Sequence, residues 1–193
     1  MRRNSAMNGW SRRGTVLVTD FSRQEAAVLR GLVGQVHEML SGRADDGPRD
    51  ELAELTGIRT GHSTAPDDPV LRRLLPDFHR AEEEDGELSE RDSDSAAALR
   101  SVHEPELLEH KTGVAQVVLD TCPESGGRIE LADEQADAWL AALNDVRLAL
   151  GTALDIREDG PEEVAQDDPR APHLGVYHWL TVVQETLVEA LTS

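Results

Sequence analysis

The chain has a single cysteine, Cys122, and a single lysine, Lys111. A lone thiol excludes an intrachain disulfide and suits a reducing compartment. No apolar run approaches the roughly eighteen residues of a membrane span, so no membrane helix is expected. The start, MRRNSAMNGWSRR, has paired arginines like those of a twin-Arg export signal. The apolar stretch after it is only Val16 to Val18, far short of the about 7–15 residues such a signal needs, and a cytoplasmic protein is expected. Positive charge is also scarce, with 19 basic residues against 38 acidic and a formal net charge of −19. An acidic body repels phosphate, which disfavours broad nucleic-acid binding unless cations are gathered in one place. There is no Gly-rich phosphate loop, no nucleophile elbow and no paired-carboxylate motif in ordered surroundings. Neither catalysis nor a cofactor is expected.

What is present is a helical pattern. At 193 residues the chain can bury roughly 70% of its unfolded surface. In LADEQADAWLAALNDVRLALGTALDI (131–156), Trp139, Leu143, Val146, Leu150 and Ala153 recur at steps of four and three and share one helical face. Leu140 and Leu148 lie on the other side, bracketing Asn144, and leave Glu134, Ala141, Asp145 and Thr152 as a strip for water. A helix apolar on two sides is buried on two sides. The expected fold is mainly α (α+β): a single-domain helical bundle around a central helix at about 133–154, with a small two-stranded antiparallel ribbon.

Residues 1–13 read as a flexible basic arm, with residues 14–193 as the domain. The first strand is placed at Gly14–Thr19 and the second at Arg128–Leu131. Ser22-Arg23-Gln24-Glu25 is a capping box. The helix it opens carries Leu29, Val33 and Val36 in its core stripe and is expected to stop at Ser41-Gly42. Gly31 and Gly34 inside it each cost about 1 kcal/mol relative to Ala, and close approach of another helix is the expected compensation. Short helices are expected at 51–57 and from Pro69, the latter capped by Asp68. The acidic segments at about 80–97 and 157–172 lack the apolar content to offset ordering and are read as disordered. Pro105 is placed in the first turn of a helix running from His103 to Pro123. The last helix spans about Leu174–Leu191, with Tyr177, Leu180, Gln184, Leu187 and Leu191 on one face.

One internal echo stands out. QEAAVLRGLVGQV (24–36) aligns without gaps on EQADAWLAALNDV (134–146), each segment after a short strand. Core helices in general share such spacing. If the echo is structural, the two strands pair antiparallel and the two helices pack together.

The candidate chemistry is sparse. His103, Glu106 and His110 share a helix face, but neither this set nor His37-Glu38 forms the H-E-x-x-H of a zinc protease, and no metal is expected. Cys122 is the candidate redox thiol. Its place at a helix C-terminus beside Asp120 and Glu124 disfavours the thiolate and favours an inert residue, unless Lys111 or an Arg folds nearby. Asn144, Asp145 and Arg147, together with Gln184, form a candidate polar cluster; a buried Asn144 must find partners, either in the backbone of a neighbouring loop or in a ligand or partner protein. Arg2, Arg3, Arg12 and Arg13 are candidate phosphate contacts, although no recognition helix has a basic face. No residue pattern fixes an oligomeric state.

The capping segment, LRRLLPD, KTGVAQVVLDTCP, GGRIELADEQADAWLAALNDVRLALGTALDI and YHWLTVVQETLVEAL together resemble an actinobacterial family long catalogued as a domain of unknown function. Its members are oxidative-stress transcriptional regulators of the AosR type. The similarity covers most of residues 14–191, and ALNDVRLALGT and WLTVVQETLVEAL are its most specific parts. The resemblance implies a non-enzymatic regulator of redox and cysteine-metabolism genes that works with a sigma factor or RNA polymerase. Neighbouring genes in the family point to a second class, an adaptor of the Clp proteolysis machinery. A dithiol switch cannot be carried over to a chain with Cys122 alone, and no functional residue is transferred.

Overall fold

The computed structural model describes residues 9–47, 60–78, 90–156 and 168–193. Among them are three strands, β1 (Ser11–Arg13), β2 (Val16–Phe21) and β3 (Gly127–Leu131). Five helices accompany them: α1 (Arg23–Asp45), α2 (Pro69–Leu74), α3 (Glu90–Thr121), α4 (Asp133–Ala153) and α5 (Ala171–Leu191). The fold is mostly helical with one small antiparallel sheet. Its contacts divide the chain into two compact units, residues 1–37 with 113–193 and residues 38–112. The expected helix at 51–57 and the acidic residues 80–89 and 157–167 lie outside the described residues.

In the first unit the sheet has three strands, ordered β1-β2-β3, where two were expected. The extra strand comes from the segment read as a flexible arm. Residues 11–13 pair with 16–18 across a two-residue turn at Gly14-Thr15, with Gly14 at φ +64°. Just before them, Trp10 is buried edge-on to Trp139 at 5.3 Å. Burying a large aromatic outweighs the polar character of the residues around it.

Strands β2 and β3 pair antiparallel, with Leu17 opposite Leu131, Thr19 opposite Ile129 and Phe21 opposite Gly127. This bears out the strand half of the internal echo. Shifting any position by 110 residues carries the 24–36 segment onto 134–146, and it carries Thr19 onto its own partner, Ile129. It also turns the pair Leu17–Leu131 into the pair Phe21–Gly127. The two strand–helix units are therefore related by a pseudo-two-fold axis through Thr19 and Ile129. Both helix starts share one bond of the capping box, and Ala132, with no side-chain oxygen, lacks the other. Ser22 N–H donates to Glu25 Oε2 (2.7 Å) and Glu25 N–H to Ser22 Oγ (3.2 Å); Ala132 N–H donates to Gln135 Oε1 (3.0 Å). Gly126, at φ +72°, lies so close that a Cβ there would sit 2.6 Å from the Arg23 nitrogen. Only glycine fits that crossing.

Helix α4 packs on β2, β3 and α5, with Ala136, Trp139, Ala142, Leu143, Val146 and Ala149 buried. Its second covered side differs from the expected one. Leu140 and Leu148 are half-buried, whereas Asp145, assigned to the water strip, is 4% exposed. Ala142 and Ala149 flank Asp145, and their small side chains let the surrounding structure close over that side. Leu180, Val183, Leu187 and Ala190 form the buried stripe of α5, which begins at Ala171, inside the segment read as a loop. Among the described residues no helix lies against Gly31 and Gly34, since nothing is within 4 Å of where their Cβ atoms would be.

The second unit corrects two boundaries. Helix α1 continues past Gly42 to Asp45, because Arg43 in its last turn donates to Glu104 (2.8 Å) and to the Thr64 carbonyl (2.6 Å). Helix α3 begins at Glu90, thirteen residues before His103, so residues 90–97 are helical and Pro105 lies in the helix interior. Proline there removes the bond to the carbonyl four residues back. That carbonyl, on Ser101, accepts instead from Gly61 N–H at 2.6 Å. The approach needs a glycine, as a Cβ on Gly61 would be 2.8 Å from Pro105 Cγ. Next to Pro105, fully buried Glu104 joins Arg43 and Arg100, and Arg100 also reaches Asp77 (2.6 Å) and the Leu75 carbonyl. Burial works against the Arg100 charge, but the bonds from Glu104 and Asp77 more than offset it and hold the guanidinium above its ordinary value. Asp68 caps α2 through Leu71 N–H at 2.8 Å, as expected.

Gly31→Ala and Gly34→Ala should each raise stability by about 0.5–1 kcal/mol, because helix entropy is gained without a clash. Gly61→Ala and Gly126→Ala should each lower it by about 1–3 kcal/mol. Denaturant midpoints of the four variants test both signs. Glu104→Gln should cost about 3–5 kcal/mol in the same experiment, by leaving Arg43 and Arg100 short of their counter-charge.

Candidate functional site

Cys122 follows the last residue of α3 and is 1% exposed. The carbonyls at this helix end are gathered by one side chain. Arg30 Nη1 donates to the carbonyls of Leu119 and Cys122, and its Nη2 lies 3.6 Å from Glu124. A guanidinium at a helix C-terminus is favourable for the dipole. Arg30 is thus the cation that folds near the thiol, and it pulls the Cys122 pKa down. Burial dominates and pushes it up to about 11. Among the described residues, no group of three His, Cys, Asp or Glu side chains is placed to hold a metal.

The polar residues of α4 do not gather. Arg147 Nη1 donates to Gln184 Oε1 at 2.5 Å, and its guanidinium lies over the Tyr177 ring at 5.4 Å, tying α4 to α5. Asn144 is exposed instead of buried, and Asp145 is turned about 200° around the helix from Arg147. Among the four candidates, Arg147 and Gln184 are brought into direct contact.

Arg12 is committed to structure. It donates to the carbonyls of Ala190 (3.1 Å) and Leu191 (3.2 Å) at the end of α5 and pairs with Asp133 at 3.0 Å. A phosphate would have to displace these bonds. Arg13 is exposed on β1, and Arg2 and Arg3 lie outside the described residues.

Sequence reasoning missed an apolar groove in the first unit. Ser22, Gln24, Glu25 and Val28 at the start of α1 face Pro172, Gly175, Val176 and Trp179 of α5 across about 400 Å³. Trp179 and Glu25 also line a small cavity shared with Trp10 and Phe21. The buried Trp10 Nε1 has no hydrogen-bond partner among the described residues. Val176 and Trp179 were legible as apolar residues on the last helix. Without Trp10 in the core, nothing marked them as one wall of a groove.

Residues 7–191 match the domain of unknown function DUF2017. The chain belongs to that family. It is 47% identical to the oxidative stress regulator AosR of Mycobacterium tuberculosis (strain ATCC 25618 / H37Rv) over 184 residues, 94% of this chain and 84% of the relative. The same identity and coverage hold for the oxidative stress regulator AosR of Mycobacterium bovis. No solved structure matches the chain significantly. No helix of this DUF2017 chain, among the described residues, is long and apolar enough to cross a membrane.

The Cys122 environment sets a pH prediction. Raising the thiol from 9.0 to about 11 leaves roughly a hundredfold less thiolate near neutral pH. The native protein should therefore react with a thiol reagent at pH 8 at least about a hundredfold more slowly than the unfolded chain. Equal rates would contradict the buried assignment. The folded pKa is the higher one, so the thiol's contribution to stability is present below about pH 9 and lost as pH rises toward 11.

Proposed function

We propose that this chain is a non-enzymatic, cytoplasmic transcription regulator of oxidative stress and cysteine metabolism, working through a protein partner, a sigma factor or RNA polymerase. The observation that carries the reading is its 47% identity, over 94% of its length, to relatives named oxidative stress regulators. The formal charge of −19 suits a protein contact better than a phosphate one, and one of the candidate arginines, Arg12, is bonded to the end of α5. The groove beside Trp179 is the surface we assign to the partner, since an apolar trough with a few polar groups on its rim is suited to taking a peptide segment. With Cys122 as the only cysteine, an oxidative signal does not act by forming a disulfide within the chain.

Affinity capture of the tagged chain from oxidant-treated cells tests this reading. It should recover a sigma factor or RNA polymerase subunits, and Val176→Glu, in the groove wall, should reduce recovery at least tenfold while the fold is retained. Recovery of Clp protease components in their place would make the chain a proteolysis adaptor. Recovery of neither would defeat both readings. Direct DNA contact predicts binding that falls steeply with salt and disappears when Arg2, Arg3 and Arg13 are replaced by neutral residues.

A further inference from the structure

Among the described residues of its own unit, nothing covers one face of α3. Phe78, Leu99, His103, Glu106, Leu107 and His110 line an open groove of about 450 Å³. Phe78 is 37% exposed, Leu99 36% and the adjoining Val102 53%. Large apolar side chains that are this open, contiguous and rimmed by polar groups mark contact surfaces. Positions 99, 103, 106 and 110 follow one another at steps of four, three and four, the spacing of a helix–helix seam.

We propose that this face binds the same face of a second copy, with the two α3 helices antiparallel about a two-fold axis between His103 and Glu106. Charge and shape choose both orientation and register. A parallel pair would set His103 on His103 and Glu106 on Glu106 along the seam. An antiparallel pair centred on either residue also stacks like on like at the axis. Centring between them places His103 of each copy against Glu106 of the other, Leu99 against His110 and Val102 against Leu107. The seam carries one carboxylate and two imidazoles, so two copies of a chain with a formal charge of −19 can meet here without opposed carboxylates. Charge repulsion from the rest of the surface is screened within about 8 Å at physiological salt. Three turns of helix bury less than the roughly 1,200 Å² of a standard stable interface, so the pairing is weak and reversible. It is independent of the regulator reading above, and the groove beside Trp179 plays no part in it.

Sedimentation equilibrium of the full chain at about 0.15 M salt, from roughly 10 µM to 1 mM, tests the pairing. The wild type should pass from monomer to dimer over that range. His103→Glu opposes two carboxylates and should weaken association at least about tenfold. Glu106→His opposes two imidazoles and should do the same. The double variant restores opposite partners and should recover most of the association. All three changes are at exposed positions, and circular dichroism should show an unchanged fold. Monomer throughout, association indifferent to the single variants, or failure of the double variant to recover would each overturn the proposal. So would a monomeric chain whose α3 face is occupied only by an unrelated protein.

Discussion

The antiparallel ladder between β2 and β3 is the constraint on which the first unit depends. Each strand runs straight into a helix, Phe21 through Ser22 into α1 and Leu131 through Ala132 into α4. Fixing the register of the ladder therefore fixes where both helices start. Because side chains alternate across a strand, a one-residue slip of β2 would turn Leu17, Thr19 and Phe21 away from the core together, and a slip of β3 would do the same to Ile129 and Leu131. Gly126 secures the crossing, where the chain passes too close to the Arg23 backbone for any side chain. Trp139 then fills the space beside the sheet, with its Nε1 donating to Thr121 Oγ1 at 2.8 Å and its ring among Trp10 and Phe21.

The second unit rests on a different kind of bond. A proline inside α3 leaves a carbonyl that needs a donor, and Gly61 supplies it. Glu104, one residue before that proline, draws Arg43 and Arg100 into a buried ion network. Desolvating such charges is expensive, and losing one partner strands the others. The network thus specifies the arrangement of α1, the 60–78 segment and α3 more than it adds stability.

These interactions leave little free polar chemistry among the described residues. The one thiol is buried behind a helix end that Arg30 gathers, and its pKa is driven upward. The arginines placed by the fold are mostly committed: Arg12 to the end of α5, Arg30 to α3, Arg43 and Arg100 to Glu104 and Arg147 to Gln184. What the surface offers are apolar troughs, one beside Trp179 and one along α3. That inventory suits a protein that works by contact, in keeping with the oxidative stress regulators it is similar to.

Local patterns were legible wherever one segment decides its own structure. The Ser22–Glu25 box, the Asp68 cap, the stripe of α4 and the 110-residue echo could all be read from spacing, because caps and periodicity involve neighbours in sequence. Family membership was legible as a resemblance, carried by the ALNDVRLALGT and WLTVVQETLVEAL segments. The tertiary structure alone decided the rest, each time through a partner distant in sequence. Trp10 turned an apparent arm into a strand because Trp139 was there to receive it. Ser101 found Gly61, so a helix ran on through Pro105. Asp145 went inward and Asn144 outward because the small alanines of α4, rather than Leu140 and Leu148, set its second covered side. Sequence fixed the periodicity of each segment, and only the packed chain could determine which residues its neighbours would cover.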